Sequence, residues 1–402
     1  MKLKAAPGDF IVKERSTLSL SPDPGPYRVY NLNKRQWDSF DLIDMLARRW
    51  HIMKSDISLS GRKDRHGEAE QFLAVRNCQG LPATYEAKGF SLVHVGFSDR
   101  KLSADCITGN SFRITLRDLR REETDQVKRN CQTVRKAGFP NYFDEQRLGS
   151  ARAGRGFPGK ALFLGRMEEA FKIFLAPDGH ESAADRQFKN EARAVWRQWD
   201  KINAPVPRRY VSAFKILRAP GGYMAFNKAV NALDREQLIM ALQAYQSHLF
   251  NRLAVHYVKA LADAGRLSLN PPFSTPYGEV LFYEAVDEHV LKDLQDIELP
   301  VPGHDTVSDD PLVKTALERT LTDEGMTLPD LKVKKLHGKA VRGVARRLVV
   351  VPEEFAFDEP AADELYPGKM KMVLYFFLPR GSYATMLIKR VQSGTAEHAD
   401  RA

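Results

Sequence analysis

Apolar and polar positions alternate along some tracts and recur at helical spacing along others, so the chain mixes strands with helices. Residues 10–14 and 27–32 read as short strands separated by a proline-rich turn at 22–26. A helix follows. Asp38 or Ser39 can cap it, and Leu42, Ile43, Leu46, Ala47 and Trp50 share the face that would pack into a core. Residues 71–75, 91–95 and 112–116 look like further strands. The tract 122–136 places Val127, Cys131 and Val134 on one helical face and runs into Gly138, a residue suited to ending a helix. This buries Cys131 and argues against it as a catalyst. Sequence-adjacent strands able to pair antiparallel, with helices among them, predict an α+β fold.

The texture changes at residues 139–149. Tyr142 and Phe143 sit among Asn141, Gln146 and Arg147, types that can stack on a base and hydrogen-bond its edges; an aromatic-rich turn after a helix has the same composition. Arg147, Arg152, Arg155 and Lys160 come next, with no acid among residues 146–160, and could contact phosphate. Helical patterns run over 183–199 and 236–264, the second directing Leu238, Leu242, Tyr245, Leu249, Leu253 and Tyr257 towards a core. Residues 282–311 hold nine acids against the single Lys292 and are expected to face away from any polyanion. The charge then reverses. Residues 331–347 carry seven Lys or Arg and no acid, which fits a helix laid along phosphates or a solvated helix face. Strands at 348–351 and 372–379 follow, and Gly381 turns the chain into a closing helix.

At 402 residues the chain is long enough for two domains, or for one domain with a large insertion. Lys and Arg number 61 against 51 Asp and Glu, so the net charge is 61 − 51 = +10, and the isoelectric point is about 9.3. Such an excess favours encounter with polyanions, nucleic acid above all. The three cysteines, Cys78, Cys106 and Cys131, form no Cys-x-x-Cys pair, which argues against a disulfide framework and a zinc knuckle. Neither a signal-peptide core nor a membrane-spanning run is apparent, so a soluble, cytoplasmic protein with no membrane partner is expected.

The densest chemistry lies at Ser60-Gly61-Arg62-Lys63-Asp64-Arg65-His66. An Asp flanked by cations has its charged form favoured. In a basic cleft it suits a nucleophile or base acting on an anionic polymer, the cations holding phosphate while the carboxylate faces the reacting atom. A solvated charged turn would carry the same residues.

Five stretches, in order, resemble the tRNA pseudouridine synthase D (TruD) family. Lys4-Ala5-Ala6-Pro7-Gly8-Asp9-Phe10 with Val12 and Glu14 looks like its opening motif, and Gly61-Arg62-Lys63-Asp64-Arg65-His66 with Gln71 like its catalytic motif. Gly109-Asn110-Ser111-Phe112 with Arg117 is similar to its central strand. Asn141-Tyr142-Phe143 with Gln146, Arg147 and Gly149 resembles its base-pocket motif, and residues 376–385 its closing motif. Gly67 and Ala69 stand where the family usually has Ala and Thr, Leu148 where Phe is usual, and Lys389-Arg390 where Arg-Glu is common.

The resemblance implies a pseudouridine-synthase-type catalytic domain, a mainly antiparallel sheet with flanking helices, over 1–150 and 345–402. An inserted mixed α/β (TRUD) domain over 151–344 would contribute to RNA binding. It further implies Asp64 as catalytic aspartate, Phe10, Asn141 and Phe376 lining a uridine pocket with Lys4 close by, and Phe143, Gln146 and Arg147 supporting it. Lys63 and Arg65 become candidate contacts for phosphates beside a flipped-out nucleotide. The expected reaction isomerises a uridine of RNA, at position thirteen of tRNA on the family's pattern, without cofactor or metal, by a monomer. Two other readings remain open: a catalytically inactive RNA-binding protein of the same fold, and a metal-dependent nuclease, which would need clustered carboxylates.

Overall fold

The computed structural model describes residues 1–61, 63, 67–149, 156–177, 181–219, 224–333, 336 and 341–395. The chain divides into two compact units, one of Met1–Phe139 with Val350 onward and the other of Pro140–Val349. These breaks differ from the expected 150/151 and 344/345, and they put Asn141, Phe143, Gln146 and Arg147 in the second unit.

In the first unit ten strands, counted among the described residues, form one sheet. They are β1 (Phe10–Ser16), β2 (Tyr27–Arg35), β3 (Ile57–Leu59), β4 (Glu68–Arg76), β5 (Thr84–Ala87), β6 (Phe90–Ser98), β7 (Ile107–Leu119), β8 (Glu353–Phe357), β9 (Ala361–Ala362) and β10 (Met370–Pro379). The order is β8-β10-β7-β1-β4-β2-β6-β5, with β9 added to β10 and β3 to β4. Only β1 and β4 pair in parallel. The α+β expectation and its mainly antiparallel sheet are therefore met.

The helix Ser39–Trp50 starts where its sequence allows, because the Asp38 carboxylate accepts from the backbone N–H groups of Phe40 and Asp41. It packs Leu42, Leu46 and Ala47 against Tyr30, Leu32, Leu73 and Val75 of β2 and β4. The helix Thr124–Ala137 ends at Gly138, whose φ of 73° a side chain would oppose. Cys131 lies buried on it, its thiol pushed up to about 12 by burial, so it is no nucleophile at neutral pH. Arg390, on the closing helix Ala384–Gln392, is fully buried and donates to Asn130 Oδ1 at 3.0 Å.

The second unit is built on the helix Arg235–Asp263, with helices Pro158–Phe163 and Pro311–Asp323 against it. Gly159 permits one approach, since a Cβ there would collide with the Ala241 carbonyl oxygen. Two expectations need correction. The helix starting at Ala183 stops at Ala194, and Arg197 adopts a left-handed φ of 66° before the turn Trp199–Lys201, so it does not reach Trp199 as one helix. The basic tract is no helix where it is described: a short turn of helix ends at Leu331, and Val344–Arg347 is a strand paired antiparallel with Glu298–Val301. Strand pairing wins because it sets Glu298 of the acidic tract opposite Arg347 and buries Leu299 opposite Arg346. Among the described residues no helix is long and apolar enough to cross a membrane.

Candidate active site

In the first unit the motif residues converge on one sheet face because side chains alternate along each strand. Val12 opposes Phe112 and Glu14 opposes Asn110 across β1 and β7, while Phe376 opposes Phe112 across β10. Phe10, two residues from Val12, joins the same face. Phe10 meets Phe112 edge-on at 6.1 Å, Phe112 stacks on Phe376 at 5.2 Å, and Phe376 stacks on Phe355 at 6.0 Å. Lys4, held at a left-handed φ of 57°, sets its ammonium 4.3 Å from the centre of the Phe10 ring. The expected neighbours Lys4, Phe10 and Phe376 are thus brought to one face, through Phe112.

Next to this ladder lies a buried ionic group. Lys63 Nζ is 3.0 Å from Glu14 Oε2 and donates to Asn110 Oδ1 at 2.7 Å; the side chains are 8% and 0% exposed for Lys63 and Glu14. Lys34 Nζ in turn donates to the Lys63 carbonyl at 3.0 Å and to the Trp37 carbonyl at 2.7 Å. The Lys63 ammonium therefore points into the unit, where it meets the Glu14 and Asn110 side chains, a different placement from the phosphate contact expected of it. Buried Gln71 and Ser60 have no side-chain hydrogen-bond partner among the described residues, so this face keeps unspent polar capacity. Asp64 and Arg65 lie outside the described residues.

Gly67 acquires a steric reason. A Cβ there would come within 2.7 Å of the Phe10 carbonyl oxygen and 3.3 Å of its ring. Glycine lets β1 close on this segment, and Phe10 sits accordingly. Asp9 of the opening motif is structural: Arg117 donates to Asp9 at 2.8 Å, to Asp363 at 2.7 Å and to Glu364 at 2.9 Å. Burial alone would lower the Arg117 pKa, but its hydrogen bonds to these three carboxylates outweigh that and raise it. Asp363 and Glu364 are partners that spacing along the chain did not reveal, since they lie far from Arg117 in sequence.

In the second unit Asn141 is buried at 5% exposure and held from several sides. Its N–H donates to the Leu348 carbonyl at 2.7 Å and its Nδ2 to the Arg347 carbonyl at 3.3 Å. Arg346 donates through Nη2 to Asn141 Oδ1 at 2.7 Å and through Nε to the Asn141 carbonyl at 3.0 Å. The same guanidinium lies 4.0 Å from the Phe143 ring centre, and Asn251 exchanges two hydrogen bonds of 2.8 Å with the Phe143 backbone. Asn141 and Phe143 therefore form one assembly. Gln146 and Arg147 instead line a cavity of about 360 Å³ with Ile173, Phe174, Gln237 and Met240. Arg346 was visible in the sequence only as one of seven basic residues. Strand alternation sends its side chain to Asn141.

The first unit thus carries stacked aromatics beside a buried Lys–Glu pair on a mainly antiparallel sheet. The family model described as tRNA pseudouridine synthase D (TruD) matches residues 1–391. A relative named "Probable tRNA pseudouridine synthase D 2" from Methanocaldococcus jannaschii is 31% identical over 98% of this chain and 92% of its own. The tRNA pseudouridine synthase D of Aquifex aeolicus is 27% identical over 97% of this chain and 98% of its own. A crystal structure of the "Putative tRNA pseudouridine synthase D (TruD)" from Methanosarcina mazei superposes with a TM-score of 0.70 at 25% identity, covering 97% of this chain and 92% of that one. The chain belongs to the tRNA pseudouridine synthase D (TruD) family and is an enzyme of that isomerase class.

Proposed function

We propose that this enzyme converts one uridine of tRNA, at position thirteen, to pseudouridine, with Asp64 as the catalytic aspartate. The tRNA substrate rests on the family, and what supports Asp64 is the burial of Lys63: an ammonium held by Glu14 and Asn110 anchors the residue directly before it. A carboxylate that must meet a ribose needs such a fixed support. The reaction breaks the C1′–N1 bond, turns the uracil, forms C1′–C5, and moves the C5 proton off the base while N1 takes one up. Asp64 acts on the ribose, as nucleophile at C1′ or as base on a sugar proton. The nucleotide leaves its stack at a cost of a few kcal/mol, which contact with the aromatic ladder of Phe10 and Phe376 offsets.

In this reading Asn141 meets the uracil edge and Phe143 supports it, while Arg65, Gln146 and Arg147 contact the RNA around the target. The sheet unit carries the chemistry, and the inserted unit contributes RNA contacts. The test is tritium release from tRNA labelled at uracil C5. Asp64→Asn is expected to lose turnover by several orders of magnitude while binding tRNA almost as tightly as the wild type, because a group acting only in the chemical step adds little to ground-state affinity. Turnover by pure Asp64→Asn or Asp64→Ala protein would sink the catalytic assignment. No release by the wild type on any tRNA would favour an inactive RNA-binding protein instead.

A further inference from the structure

We propose that Arg346 sets the preference for uracil over cytosine by locking the Asn141 amide in one orientation. This rests on the reading that Asn141 meets the base edge. An Asn side chain has a carbonyl end and an amino end of nearly equal size, and turning the amide over exchanges acceptor for donor. A free Asn can therefore serve either pyrimidine. Asn141 is not free.

Its Oδ1 receives Arg346 Nη2 at 2.7 Å, and its Nδ2 faces the Arg347 carbonyl at 3.3 Å. A guanidinium only donates and a carbonyl only accepts, so the partners themselves dictate which end is oxygen. Turned over, the amino end would face a donor and the oxygen end an acceptor, losing both bonds and leaving two repulsive contacts in a buried place. The guanidinium has little room to give way. Its Nε is held by the Asn141 carbonyl at 3.0 Å, and its Cζ lies 4.0 Å from the Phe143 ring centre and 5.5 Å from that of Phe250. Those rings meet edge-on at 5.4 Å, and Asn251 fixes the Phe143 backbone.

After these bonds the amide keeps one lone pair on Oδ1 and one N–H on Nδ2. Uracil offers an N3–H donor beside a carbonyl acceptor, which matches that pair. Cytosine held by its ribose in the same pose offers an N3 acceptor where uracil has a donor, and an amino group where uracil has O4. It would match only the turned-over amide. Arg346 is thus a positioning residue that acts on specificity through Asn141.

The test uses a tRNA transcript bearing the uridine that the wild type modifies, and a second transcript with cytidine at that position. The first is assayed for KM and kcat by tritium release, the second as a competitive inhibitor, so that Ki over KM measures discrimination. Arg346→Gln, whose amide can donate or accept, is expected to lower that ratio about tenfold. Arg346→Lys, which still only donates, is expected to keep most of it even where kcat falls, a split that general damage to packing would not produce. The proposal is overturned if the wild type shows no preference, if Arg346→Gln keeps the wild-type ratio, or if Arg346→Lys loses the ratio outright; the Lys variant decides alone if the Gln variant does not fold. Asn141→Ala separates the two levels. An unchanged ratio there removes Asn141 from the base edge, and this proposal with it. A collapsed ratio in Asn141→Ala with an intact one in Arg346→Gln sinks this proposal alone.

Discussion

Arg117 in the sheet unit and Arg346 in the inserted unit are both fork-shaped donors set among motif residues, and they are used in opposite ways. Arg117 spends its charge on three carboxylates, Asp9, Asp363 and Glu364, and ties the opening motif to β7 and to the segment before β10. Arg346 spends hydrogen bonds on a neutral amide and sets its guanidinium carbon over aromatic rings. The first arrangement makes a fixed framework, because removing one charge strands others in a buried place. The second holds a group that still has a donor and an acceptor to offer. The difference separates residues that build a site from residues that tune what the site reads.

The comparison can be broken most directly at Arg117. Arg117→Met leaves buried Asp9 and Asp363 without their cation and is expected to cost about 3–5 kcal/mol in chemical unfolding; Arg346→Lys should cost far less. Similar losses for both would erase the distinction. The acid limb sharpens it. Burial resists ionisation of Asp363, yet the N–H groups of Asp118 and Leu365 and the Arg117 guanidinium hold its pKa below the usual value, while Arg117 and Lys371 hold Glu364 at about 2. Depressed carboxylates stabilise the fold above their unfolded pKa and lose that contribution as pH falls. Wild-type stability should therefore drop from about pH 4 towards pH 2, and the Arg117→Met curve should be flatter there.

A second test asks whether Lys63 belongs with Arg117 as framework. Lys63→Met is expected to reduce kcat about a hundredfold, the size of effect that a small misplacement of a catalytic group produces, with little change in KM. A raised KM and a shallower salt dependence, with kcat preserved, would make Lys63 a phosphate contact after all. The smallest expected change is at Gly67. Gly67→Ala forces a Cβ against the Phe10 carbonyl and should cost about 1–3 kcal/mol in unfolding experiments; an unchanged stability would show that β1 can move aside.

Six of the ten sheet strands were legible as apolar or alternating runs, while the short β3, β5, β8 and β9 were not. The helix Ser39–Trp50 and the long helix Arg235–Asp263 were legible from apolar positions at helical spacing, and each begins after a capping Asp. The basic tract was misread as helical because charge carries no periodicity. What decides Val344–Arg347 is the partner strand Glu298–Val301, distant in sequence. The helix expected to reach Trp199 ends at Ala194, and the left-handed backbone at Arg197 keeps it from resuming before Trp199, a local feature that apolar spacing does not report. Among the site residues Phe10, Phe376, Asn141 and Phe143 were found as types in a family order. Their actual neighbours, Phe112 for the first two and Arg346 for the others, depend on strand register, as do Glu14 and Asn110 beside Lys63.

The sequence by itself determined the family, the balance of charge and the order of the motifs, since these are properties of residues and their spacing. It also supplied the candidates for chemistry, Asp64 first among them. Only the tertiary structure decided what each cation is for. Lys63 turned inward to Glu14, Arg117 gathered three carboxylates, and Arg346 reached Asn141, because a charged side chain takes its role from whatever the fold brings within hydrogen-bonding distance.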